Sequence, residues 1–92
     1  MNARLAAELA QEALIWLSGE PEALGRFLDA SGLAPTDLRG RAAQPVFLGF
    51  LLDFLLSDEE LLLAFCAAAG HAPTAPGRAR AALPGGAAPN WT

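Results

Sequence analysis

Apolar residues recur along this chain at helical spacing, in blocks separated by glycine and proline. Asn2 can cap a first helix over 3–18, with Gly19 as its stop. Leu5, Leu9, Ala13, Trp16 and Leu17 form its expected buried stripe, and Glu8, Gln11 and Glu12 face water. Pro21 suits the first turn of a second helix, 20–31, ended by Gly32. Leu24, Phe27 and Leu28 point inward there, while Glu22 and Arg26 stand at i,i+4 spacing outside. Pro35 opens a short third helix, 35–42. Gly40 limits it, and Asp37 and Arg41 form another i,i+4 pair.

The pattern then changes. Between Pro45 and Leu56 every position except Pro45, Gly49 and Asp53 is Val, Phe or Leu. A helix this apolar must be buried by its neighbours. It spans roughly 18 Å, against a bilayer core of about 30 Å, so it reads as the central helix of a bundle rather than a membrane span. Ser57 and Glu60 have the spacing of a capping box for a fifth helix, 58–69, with Asp58 and Glu59 in its first turn and Gly70 after it. A weak sixth helix is expected over 76–83. Two prolines and Gly77 keep it short. One domain over 1–83 and an aperiodic tail, 84–92, complete the organisation.

A shift of 38 residues aligns the chain with itself. Ten of the 23 positions from Leu14 to Thr36 are identical to those from Leu52 to Thr74, including Gly-x-Ala-Pro-Thr in both copies. Two readings are open. One is a three-helix unit used twice, packing about a pseudo-two-fold axis. The other is helix-turn-helix grammar repeating itself in an Ala/Leu-rich chain.

The run LLSDEELLLAFCAAAG, preceded by PVFLGFLLDF and followed by an Arg-Ala-Arg-Ala-Ala-Leu-Pro stretch, resembles a family of short bacterial helical proteins, domain of unknown function 3572. The resemblance covers about residues 5–86. Its most specific parts are the Asp58-Glu-Glu-Leu-Leu62 block and Arg26-Phe27-Leu28, Gly32-Leu33-x-Pro35 and Leu38-Arg39 upstream. His71 and Pro76-Gly77 depart from the family's apolar and helix-forming positions, and both bear on the last helix. The resemblance implies a compact helical protein of the cytoplasm. It brings no catalytic residue, cofactor or partner.

Composition narrows the class. There are 21 alanines, no Tyr, one Ile and one Val, so strand formers are scarce and the expected class is all-α, a bundle of five to six short helices. The chain has no Lys; six Arg face ten acids, net −4, which disfavours polyphosphate partners. Glu8 and Glu12 interrupt the N-terminal apolar pattern, unlike a signal peptide, and cytoplasm is the expected compartment.

Candidate chemistry is sparse. Cys66 and His71 are the only soft or imidazole side chains, too few to close a zinc site, and Cys66 falls where Leu28 falls in the first unit. No catalytic, cofactor-binding or metal-binding residue is assigned, and none of the cofactor classes is expected. Asp53, alone on the most apolar helix, either faces water along a Gly49–Asp53 strip or pairs with Arg39 or Arg41. Leu28 to Leu38 has the outline of a helix-turn-helix with Arg39 and Arg41 beyond it, nearly repeated by Arg78 and Arg80. Arg41 falls where that motif wants an apolar residue, and the net charge opposes DNA. A membrane-surface role wants a Lys/Arg-rich polar face, and the faces here are acidic.

The function expected from these residues is therefore a non-enzymatic protein–protein interaction module, a homo-oligomer or an adaptor. A helix-turn-helix-like nucleic-acid-binding or regulatory protein is the alternative. The side of the central helix bearing Leu48, Leu52 and Leu56 is the candidate partner surface, because its apolar supply exceeds what one small core needs. Trp91 in the tail is a candidate docking point.

Overall fold

The computed structural model describes residues 1–84; all of the expected 84–92 tail but Pro84, Trp91 included, lies outside the described residues. Helix α1 runs Ala3–Ser18, α2 Pro21–Ser31, and a 3-10 turn at Pro35–Asp37 leads into the single turn of α3, Leu38–Arg41. Then come α4 Pro45–Leu56, α5 Glu59–Ala69 and α6 Ala75–Ala81. No strand forms among the described residues, and the class is all-α.

Local chemistry sets these boundaries. Asn2 is extended, and its side-chain oxygen accepts from the Leu5 N–H at 2.8 Å, satisfying one of the free donors of the first turn. Prolines open α2 and α4, where a missing N–H costs nothing. Both α2 and α5 end on glycines in the left-handed region, Gly32 at φ 73° and Gly70 at φ 76°, whose N–H groups return to the Leu28 and Cys66 carbonyls.

At the start of α5 the cap differs from the expected capping box. Ser57 is still helical, and its hydroxyl donates back to the Phe54 carbonyl at 2.7 Å. Asp58 is the extended residue and accepts the Leu61 N–H at 3.1 Å. Only Ser57 and Asp58 separate the two helices, and the cap falls one position later than the Ser57–Glu60 spacing implies.

The long helices pack around α4. Helix α1 lies along α6 and α4, and α6 closes against both. Three alanines of α1, Ala6, Ala10 and Ala13, are fully buried, as is Ala79 of α6. Side chains this small fit where helix backbones come close. Leu5 is the exception to the expected stripe. It lies at the stripe's edge in the first turn and is 46% exposed, while Leu9, Leu14 and Leu17 carry the burial. Gln11 does not face water; it is half-buried and donates to the Ala42 carbonyl at 2.9 Å, tying the segment after α3 to α1.

Two aromatic groups fill the centre. Phe27 of α2 is fully buried, with the rings of Phe47, Phe50 and Phe54 at 5.9, 5.7 and 5.2 Å. Phe65 of α5 is equally buried and meets Trp16 at 5.7 Å. These pairs lock α2 to α4 and α5 to α1 through edge-rich contacts that aromatic rings favour.

Candidate functional site

Helix α4 is not wrapped on all sides. Phe47, Leu48, Leu51, Leu52 and Leu55 are buried, but Val46 is 72% exposed, Phe50 38% and Leu56 37%. The surface expected at Leu48, Leu52 and Leu56 is therefore misplaced by part of a turn. Leu48 and Leu52 are 1% and 0% exposed, inside the core that α1 and α6 close, and only Leu56 reaches water. Of the three apolar residues left open on α4, Val46 and Phe50 stand four apart on one face, and Leu56 lies at the helix end.

These two line a notch with Leu33, which follows α2, the buried edge of Phe47, and Arg41 and Gln44 at the rim. Proline at the first turn of α4 fixes how the chain enters the helix, so Arg41 and Gln44 are held just before Val46. Arg41 is exposed, and among the described residues no carboxylate pairs with it. Its expected partner Asp37 instead accepts the Ala34 N–H at 2.9 Å.

Asp53 lies one turn beyond Phe50. Its partner is neither Arg39 nor Arg41 but Arg80 of α6, whose Nε and Nη2 donate to the two carboxylate oxygens at 2.7 and 3.1 Å. Helix α6 packs on α4, whereas the arginines of α3 point into solvent, and packing decides the pairing. Arg80 lies flat over Gly49: a Cβ there would come within 2.8 Å of its Nη1. Its third nitrogen, Nη1, donates to the Pro84 carbonyl at 2.9 Å. The expected Gly49–Asp53 strip is thus roofed by a guanidinium at its glycine end. Arg26, in turn, bonds Asp58 at 3.1 Å rather than Glu22, which locks α2 to the start of α5. That bond and the Leu61 N–H hold the Asp58 carboxyl below the usual aspartate range, the backbone donor contributing most.

A second notch lies between the first half of α1 and the start of α6, lined by Leu5, Glu8, Leu9, Glu12 and His71. It is bridged by a bond between His71 Nε2 and a Glu12 carboxylate oxygen, and the imidazole also lies 5.7 Å from the Phe65 ring. Cys66 is buried nearby, its thiol 3.6 Å from the Ala72 carbonyl, and burial pushes its pKa up. His71 bonds to α1, so the geometry does not bring the thiol and imidazole into a nucleophile–base pair. The segment with helix-turn-helix outline ends in a helix of four residues, one turn, with Arg39 and Arg41 exposed on it. A groove-reading helix needs several turns to present three or four side chains to base edges.

The candidate partner surface read from the sequence did not include Val46, Phe50 or Leu33, although a signal was present. The 38-residue shift lays Val46 on Glu8 and Phe50 on Glu12, two positions already read as facing water.

Among the described residues no helix is long and apolar enough to cross a membrane. No curated protein and no solved structure shows a significant match to the chain. The family model described as Protein of unknown function (DUF3572) matches residues 3–86, nearly the whole chain, and the protein belongs to that family.

Proposed function

We propose that this chain is a non-enzymatic interaction module of the cytoplasm that binds protein, itself or another chain, through the Leu33–Val46–Phe50 notch. The observation that carries the reading is the exposure of Val46 and Phe50, 72% and 38%, on the most apolar helix of the molecule. Exposed apolar groups gathered in a concavity with a polar rim are the usual form of a contact site. The non-enzymatic part of the reading draws on Cys66, a buried thiol in which burial disfavours the thiolate that a nucleophile needs.

We further infer that the chain is a duplicated three-helix unit. Supporting this, α2 and α5 coincide at both ends under a shift of 38, from 21–31 to 59–69. Their left-handed caps, Gly32 and Gly70, coincide too, as do the fully buried Phe27 and Phe65. The pair Trp16–Phe65 maps onto Phe54–Phe27, the cross-contact a two-fold relation requires. The third helices differ for a visible reason. Ala79 of α6 is fully buried against the core, and its counterpart in α3 is Arg41, which cannot be.

The correspondence also relates the two notches. Glu12 and His71, which bridge the first, map onto Phe50 and Leu33 in the second. One half satisfies this place with its own polar pair. The other leaves it apolar and open.

The test is affinity capture from native cell extract with the full chain and with Val46→Glu as baits. Proteins held by the wild type and lost with Val46→Glu, or self-association lost in the same way, are the expected result. If both baits retain the same proteins and the wild type does not self-associate, the reading fails.

A further inference from the structure

We propose that the notch is filled by a second copy of the chain, with the two α4 helices antiparallel about a two-fold axis between Val46 and Phe50; this rests on the interaction-module reading above. Charge order along the stripe carries it. Arg41 lies just before α4 and rims the notch, Val46 and Phe50 follow at i,i+4, and Asp53 stands one turn further on. The stripe therefore runs cation, apolar, apolar, anion. Such an order is complementary to its own reverse.

Turning a second copy through 180° sets Val46 against the other copy's Phe50, and Phe50 against its Val46. The same rotation brings each Arg41 toward the other copy's Asp53. Asp53 has capacity for this contact. It receives two bonds from Arg80, yet its side chain is 54% exposed, and a carboxylate accepts about four. Arg41 has no carboxylate partner among the described residues, so the second copy supplies what its own chain does not. A parallel copy would instead set like charges side by side at both ends. Isologous pairing is also the commonest way for a soluble chain to cover such a patch. The stripe is short, so the dimer belongs to the small, concentration-dependent class, below about 1,200 Å² in total.

Sedimentation velocity on the full chain, from micromolar to millimolar concentration, tests this with three variants. The wild type is expected to pass from monomer to dimer across the range. Val46→Glu should weaken dimerisation by about tenfold or more, as loss of a central apolar contact does. Arg41→Glu should weaken it by a smaller factor and reverse its salt dependence, because salt screens the repulsion between the introduced carboxylate and Asp53. Ile15→Glu, at a residue 73% exposed on α1, should dimerise like the wild type. Urea unfolding of each variant checks that it is folded, as substitutions at such exposed positions should leave it. A dimer that persists in Val46→Glu, or one that Arg41→Glu leaves untouched, overturns the proposed geometry. A wild type monomeric throughout overturns the second-copy proposal. In that case, capture of a cellular protein lost with Val46→Glu would leave the interaction reading standing, and its absence would remove both.

Discussion

At the scale of single residues, ionic contacts join helices that the sequence alone leaves separate. Asp58 caps α5 and bonds Arg26 of α2, so its carboxylate form is preferred in the folded chain. The sign follows from that. A folded pKa below the unfolded one contributes stability that is present above the unfolded value, about 3.9, and lost as pH falls through the folded one. Urea midpoints of wild type and Asp58→Ala should therefore differ at pH 7 and converge at acid pH. A gap that stayed constant with pH would contradict the assignment. Arg80 covers Gly49 while bonding Asp53, so Arg80→Ala should cost about 1–2 kcal/mol through lost packing and a lost charge-assisted pair. Arg39→Ala, at an exposed residue, should stay within about 0.5 kcal/mol in the same titration. The sequence marks Asp53 as a charge needing company, because nothing else on α4 is polar. It cannot choose among six arginines, since that choice is made by which helix packs on α4.

At the scale of elements, most of the fold is legible because glycine, proline and short polar side chains act locally. The expected spans 3–18 and 45–56 are those of α1 and α4, and the others shift by a few residues at most. The misreadings have one cause. Leu5, Gln11 and the Ser57–Glu60 box each follow local rules, and each was overridden by what lies across the helix or by the shortness of a connection. Gly32→Ala and Gly70→Ala should each cost about 1–2 kcal/mol, because both sites have φ near +75°. Thermal melts should show the two variants falling together; a silent Gly32→Ala would mean the cap is dispensable. Phe27→Ala removes the ring that three α4 phenylalanines surround. At about 3–5 kcal/mol it should take most of the stability of so small a domain, read as loss of a cooperative transition.

At the scale of the whole molecule, the sequence foresaw an excess of apolar surface on the central helix but put it on the wrong side. Leu48 and Leu52 look no different from Val46 and Phe50 in a helix that is apolar nearly all round. Only the arrival of α1 and α6 decides which side is covered. The better clue was comparison of the two halves, where glutamates of α1 stand in register with Val46 and Phe50. Chance composition gives the chain a direct probe of this face. It holds one valine and one isoleucine, Val46 and Ile15, with nearly equal exposure, 72% and 73%, on different helices. The most direct test is to label both with ¹³C-methyl groups and follow their NMR signals as the full chain is concentrated from micromolar to millimolar. The Val46 methyls should shift and broaden while the Ile15 methyl stays fixed, and Val46→Glu in the unlabelled partner population should suppress the change. Val46 signals as constant as those of Ile15 over the whole range would contradict the assignment of this face to a second copy.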